Sequence, residues 1–326
     1  MPPDQVASEY KARAGALTLG YLNSTVGWDA LRAILAQSAT GEELIDPDAL
    51  VVPDTMAAVA GIFADRYLIE PVDPNDDPDD IETVMRPTPA GREVPFVGAT
   101  LHRWLKRCPR GPVAAGEDSG DVLWPLLSSW VGTVVHAVAA KPRTAAETQE
   151  AVGVLPLEIV EANIDLLSDA GLTRALPPEQ PGGEERFEPT DWLRLAVAPL
   201  AASARMELRY PREDTAPIAA ADVVAALQLA LPLLRVSRGL SGTCALSVEL
   251  DEGVIGSPAG VTARIEQRRV VACEPGADPG ADSHASGSTA AWLDAVIERD
   301  TGQIETGGDA RLAGAVLKGL HKKLFG

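Results

Sequence analysis

The groups in this chain that could do chemistry are few and scattered. Cys108, Cys244 and Cys273 are far apart, odd in number and without C-x-x-C spacing, so each reads as a small apolar packing group. None of the four histidines lies three or four residues from another or from a cysteine, which leaves no legible metal site. There is no G-x-S-x-G elbow, no G-x-x-x-x-G-K-[ST] phosphate loop and no G-x-G-x-x-G turn. Acidic pairs such as Glu42-Glu43 and Glu184-Glu185 fall in predicted caps and loops, where carboxylates are solvated. The expectation is no catalytic residue, no cofactor and no enzyme.

Charge narrows the partners. The net charge of −19 divides into −7 over residues 1–115, −9 over 116–216 and −3 over 217–326. A surface that neutralises phosphates concentrates Lys and Arg, and the first two thirds of this chain do the opposite. The longest apolar run, Val223 to Val236, is interrupted by Gln228, Pro232 and Arg235, short of the roughly 20 residues a membrane helix needs. No secretory signal is visible after Met1-Pro2-Pro3-Asp4, so the expected location is cytoplasmic.

The elements that would position any functional group are used twice. Leu126-Leu127-Ser128-Ser129-Trp130-Val131-Gly132 echoes Tyr21-Leu22-Asn23-Ser24-Thr25-Val26-Gly27. Thr144-Ala145-Ala146-Glu147 answers Thr40-Gly41-Glu42-Glu43, Leu155-Pro156 answers Val52-Pro53, and Gly171-Leu172 answers Tyr67-Leu68. Glu188-Pro189-Thr190 answers Arg86-Pro87-Thr88, and the offset drifts from 105 to 102. Self-similarity over this length means one supersecondary unit repeated.

In the first unit the pattern predicts helices over Gln5–Leu22, over Val26–Gln37, at Thr40 and from Val52, the last with Met56, Val59, Ile62 and Phe63 buried. Two extended stretches, Tyr67–Val72 and Ile81–Met85, flank an Asp-rich loop. A helix then runs from Thr88 through Trp104. After a linker at Arg107–Gly120 the second unit repeats the plan. It has helices over Val122–Ala140, from Thr144 and over Pro156–Ala170, a hairpin over Arg174–Phe187 and a helix over Asp191–Met206. This order, with Thr88-x-x-Gly91-Arg92-Glu93 after the hairpin and a helix ending near Trp104, resembles the HxlR and MarR-type winged-helix transcription regulators. The resemblance implies DNA binding through the third helix and the wing, and a homodimer.

The third helices fit DNA poorly. With Leu157, Val160, Ile164 and Leu167 buried, the second unit's third helix turns Glu158, Glu161 and Asp165 outward in a row, at a cost of several kcal/mol beside phosphates. The basic candidates there are Lys141, Arg143, Arg174 and Arg186, too dispersed for a phosphate-tracking stripe. DNA is therefore electrostatically disfavoured as a partner.

The remainder differs in kind. An apolar helix over Ala219–Leu234 precedes alternating stretches at Thr243–Leu250 and Val261–Ile265 and a third at Arg269–Glu274, read as half-buried strands. Gly276–Ser288 reads as a loop. Two amphipathic helices follow, one carrying Trp292, Leu293, Val296 and Ile297, the other Leu312, Val316, Leu317, Leu320 and Leu324 opposite Arg311, Lys318 and Lys322. Ser-x-x-Ala-Trp-Leu at 288–293, Gly308-Asp309 and the Leu324-Phe325 ending resemble the sterol carrier protein type 2 family. That resemblance implies an open sheet with helices on one face around an apolar tunnel for a lipid or other hydrophobic small molecule. The expected lining is Leu246, Val248, Val261, Ile265, Trp292, Leu293, Val296, Leu312 and Val316.

The expected fold is thus α+β in three parts: winged-helix units over 1–110 and 111–214, and a sterol-carrier-like unit over 215–326. The leading function is a winged-helix regulator whose C-terminal unit binds a hydrophobic small molecule. The alternative is a hydrophobic-ligand binding protein whose winged helices have lost DNA and serve as scaffold or protein-contact modules.

Overall fold

The computed structural model describes residues 68–77, 85–111, 122–123, 125–126, 129–178, 180–211, 220–249 and 259–326. The helices expected before residue 67 lie outside the described residues. What is described is mixed α+β.

The second repeated unit comprises α2 (Ser129–Ala140), α3 (Ala145–Val152), α4 (Leu157–Asp169), β3 (Thr173–Leu176), β4 (Arg186–Pro189), α5 (Asp191–Leu195) and α6 (Val197–Arg209). Thr144 starts α3 with a capping box. Its hydroxyl accepts from Glu147 N at 3.1 Å and the Glu147 carboxylate accepts from Thr144 N at 2.9 Å, together a stabilisation of about 1 kcal/mol. The α4 helix buries Val160, Ile164 and Leu167. Leu157, expected on that face, is 38% exposed, because it is the first helical residue and projects beyond the α3 contact. The single helix expected over Asp191–Met206 is broken at Ala196. Pro199 has no N–H for the Leu195 carbonyl and its ring crowds that oxygen, so α5 ends and α6 restarts.

Of the first unit, β1 (Ile69–Pro71), β2 (Met85–Pro87) and α1 (Pro89–Leu105) are described, and they repeat the second unit's hairpin-to-helix corner. Thr88 N donates to Leu68 O at 3.0 Å as Thr190 N donates to Leu172 O at 2.9 Å. Each threonine then caps the next helix, accepting from Gly91 N and Leu193 N. A Cβ on Gly91 would stand 1.9 Å from Leu68 O, so only glycine lets α1 start this close to β1. The same cross-strand ion pair recurs with its signs exchanged: Arg86 Nε to Glu70 at 2.8 Å in one hairpin, Arg174 Nε to Glu188 at 2.7 Å in the other.

The closing helices α1 and α6 pack on each other within the chain. Trp104 and Trp192 are stacked with ring centroids 4.7 Å apart and planes 10° apart. Each indole donates to the other residue's carbonyl, Trp104 Nε1 to Trp192 O at 2.9 Å and Trp192 Nε1 to Trp104 O at 3.0 Å. The tryptophan end of α1, which the regulator resemblance assigns to dimerisation, is occupied inside this chain.

The C-terminal unit comprises α7 (Ala220–Ala230), a 3-10 turn at Leu231–Leu233, β5 (Gly242–Glu249), β6 (Ala259–Glu266), β7 (Arg269–Pro275), β8 (Ser283–Ser288), α8 (Thr289–Ile297), β9 (Glu305–Gly308) and α9 (Ala310–Leu324). The sheet order is β7-β6-β5-β8-β9, with β5 and β8 parallel and the other pairs antiparallel. The 276–288 loop reading is corrected here, since Ser283–Ser288 is an interior strand. Its sequence lacks large apolar residues, yet Ser283 and Ala285 are fully buried opposite Cys244 and Leu246. Gly308 turns the chain into α9 at φ +66°, and a Cβ there would lie 2.2 Å from Asp282 O. Asp309 then caps α9 by accepting from Arg311 N at 2.9 Å and Leu312 N at 3.3 Å.

Charged groups join the units. Arg205 on α6, 5% exposed, binds Asp294 of α8 at 2.8 Å and also Glu298, the residue that ends α8. Arg209, one turn on, reaches Asp294 and Glu93 of α1, each at 3.0 Å. One continuous apolar core runs from Leu68 to Leu324.

Candidate functional site

The sheet's core face is where the sequence placed a ligand. Leu246, Val248, Val261, Ile265, Leu312 and Val316 have no exposed surface, Trp292 has 2% and Val296 has 9%. They are in contact because β5 and β6 are in register, Leu246 opposite Val261, with α8 and α9 laid on that face. Trp292 is further committed by donating its indole N–H to Ser247 O at 2.9 Å. These eight residues line neither of the two cavities described below. Leu293, on the same helix but half-buried, points elsewhere.

Leu293 lines an apolar cavity of about 140 Å³ between the second repeated unit and the C-terminal unit. Helix α2 contributes Val135 and His136, α6 contributes Leu200 and Ala204, and α7 contributes Val223 and Ala226. The elements leave a gap because their facing positions are small: Gly132, Ala196, Ala201, Ala204, Ala225 and Ala226 all border it. An apolar cavity of ~150 Å³ can admit a benzene-sized molecule, which sets the scale of an occupant. The polar side chains on its wall are Thr289 and the pair His136 and Asp222, whose Nε2 and Oδ1 are 3.2 Å apart and part-exposed. The wall therefore selects an apolar body and offers a polar pair at one point.

None of these cavity residues except Leu293 was singled out in the sequence. The signal that could have found them is the density of small residues in Ala-Val-Ala-Pro-Leu-Ala-Ala-Ser-Ala at 196–204. On a helix such a run cannot fill the space against a neighbour.

The basic candidates are dispersed, and most are already engaged. Arg174 is paired with Glu188. Arg143 donates to Ala137 O at 3.0 Å and Glu147 O at 3.4 Å, while its backbone bridges to Phe187 of β4. Arg186 is half-buried on β4 opposite Leu176. Lys141 is exposed and, with Arg143, lines a second and larger cavity. Helix α4 does expose Glu158, Glu161 and Asp165, and beside them Ile159 is 46% and Leu166 37% exposed.

No family model, curated protein or solved structure matches the chain. Among the described residues no cluster of His, Cys, Asp and Glu could hold a metal ion, and no helix is long and apolar enough to cross a membrane. Two of the three thiols, buried Cys244 and half-buried Cys273, are held toward the neutral form. Burial raises Cys244 to about 11, with the Ser283 hydroxyl acting the other way, and raises Cys273 to about 12.

Proposed function

We propose that this chain is a binding protein for a small apolar molecule, held between the second winged-helix-like unit and the sterol-carrier-like unit, and that its repeated units do not read DNA. The observation that carries this reading is the cavity of about 140 Å³ walled by α2, α6 and α7. It lies at the boundary between units, a preferred place for ligand sites, so an occupant touches both. The ligand is of the size of a single ring or a short branched chain, with at most one polar group set toward His136 and Asp222.

The exposed face of α4 supports the second half of the reading. Three carboxylates and two exposed apolar side chains make a surface suited to a protein contact and opposed to phosphate. The regulator reading keeps one observation in its favour, the shared hairpin-to-helix corner at Thr88 and Thr190, which is the part that resembles winged-helix regulators.

The test is titration of the full chain with toluene and with indole, read by the shift in its unfolding midpoint. A ligand at a hundred times its dissociation constant stabilises by about 2.7 kcal/mol. Ala226→Leu fills the cavity and should remove the shift while the circular dichroism stays unchanged. Equal shifts in wild type and variant would refute the site. Sub-micromolar, salt-sensitive binding to random duplex DNA would return the chain to the regulators.

A further inference from the structure

A second cavity, of about 620 Å³, opens between the end of α2 with the segment after it and the outer edge of the sheet at β7. Its volume falls within the ~300–1,000 Å³ of small-molecule sites. The apolar wall comes from Val138, Pro189, Pro232 and Val270. Into the same space open three cations, Lys141, Arg143 and Arg194, against the single carboxylate of Glu274. In a chain of net charge −19 this local excess of positive charge runs against the overall balance.

Arg194 is the informative residue. It stands on α5 four residues past the Thr190 cap, half-buried at the cavity wall. Burial lowers its pKa from the ordinary value, with Glu188 and Asp191 acting the other way through space. Among the described residues no carboxylate lies within ion-pair distance of it. The Glu188 carboxylate is held by Arg174, and among the described residues the one side-chain hydrogen bond of Arg194 runs from Nη1 to Leu229 O at 3.4 Å. A cation taken partly out of water without a counter-ion in contact is unfavourable, and the natural compensation is an anion. Lys141 is exposed at the same cavity and can approach the same anion.

We infer that this cavity binds an organic carboxylate with an apolar body, the carboxylate on Arg194 and Lys141 and the body along Val138, Pro232 and Val270. The guanidinium supplies a planar pair of donors matched to a carboxylate, and the β7 wall supplies the apolar contact. Burial pushes the Cys273 thiol on that wall up to about 12, so it presents a neutral group to the ligand. The site is separate from the cavity of about 140 Å³ and does not depend on it.

Calorimetric titration of the full chain with octanoate, octanol and acetate tests the inference. Octanoate should bind at least ~10-fold more tightly than octanol, since its carboxylate gains charge-assisted hydrogen bonds that a hydroxyl does not, and acetate should bind weakly for want of a body. Arg194→Gln should bring octanoate down to the level of octanol. Lys141→Gln, at an exposed position that leaves the fold intact, should weaken octanoate at least ~3-fold and flatten its salt dependence, so the inference remains testable if Arg194→Gln fails to fold. Ala226→Leu, which fills the other cavity, should leave octanoate binding as it was. Equal affinity for octanoate and octanol, no effect of Lys141→Gln, or loss of octanoate binding in Ala226→Leu would each overturn the proposal.

Discussion

The reciprocal tryptophan pair gives the sharpest prediction about how the units hold together. Replacing Trp104 by Phe removes one indole N–H and part of a ring that is 2% exposed; replacing Trp192 does the same at 4% exposure. The carbonyls left behind are not stranded. Trp192 O still accepts from Ala196 N at 3.2 Å, and Trp104 O from Arg107 N at 2.9 Å. Each variant therefore loses only the net value of a hydrogen bond, about 1 kcal/mol, without an orphaned acceptor. The volume removed, about 40 Å³ at about 24 cal/mol per Å³, costs about 1 kcal/mol more. Each single change should destabilise by about 2 kcal/mol. Because the rings stack directly on each other, the double variant should cost about 0.5–1.5 kcal/mol less than the two singles together. Urea unfolding followed by far-ultraviolet circular dichroism measures all three. Additivity to within about 0.3–0.5 kcal/mol would show that the rings do not support each other and would refute the reasoning.

Three further outcomes are expected. Gly308→Ala should cost about 2–4 kcal/mol through its positive φ and the Asp282 carbonyl, whereas Gly307→Ala, whose Cβ would meet nothing nearer than His284 at 4.0 Å, should stay within about 1 kcal/mol in the same unfolding assay. The Asp282 carboxylate accepts from Thr243 N at 2.7 Å and Thr243 Oγ1 at 3.0 Å, which holds its pKa below 3.8. The stability it contributes is present above that value and is lost as pH falls through the folded-state pKa, so Asp282→Asn should weaken the protein at pH 7 and reduce the stability it loses as the medium is acidified below that value. On the proposed reading, in which this face does not meet DNA, combined Glu158→Gln, Glu161→Gln and Asp165→Gln substitutions should leave low-salt duplex binding unchanged; a large gain in an electrophoretic shift assay would refute that.

How much was legible in the chain depends on whether neighbours or the residues themselves impose the structure. Thr88 and Thr190 carry their caps locally, and Cys244, Leu246 and Val248 alternate as a half-buried strand must, so these were visible. Strand β8 was invisible because Ser-His-Ala-Ser-Gly-Ser has no apolar alternation. Its extended form is imposed by pairing with β5 and β9, a tertiary effect that overrides propensity. The expected lining residues were recognisable as one apolar face, but periodicity does not separate a core wall from a cavity wall. The observed cavities are defined by small side chains on α2, α6 and α7, and by Arg194 lying near Glu188, an acid already paired with Arg174.

The packing of α1 against α6 within one polypeptide changes what kind of object the repeat is. Two identical subunits meeting through such helices would separate on dilution, and every substitution would appear twice. Joined in one chain, the contact forms at a fixed effective concentration and persists at any dilution. Each copy is also free to drift alone, as the Glu70–Arg86 and Arg174–Glu188 pairs with their signs exchanged record. The halves can thus divide labour: one keeps α1 braced against the chain end through Phe96 on Phe325 and Arg103 on the Phe325 carbonyl, while the other faces the sheet. What began as symmetry becomes a left and a right.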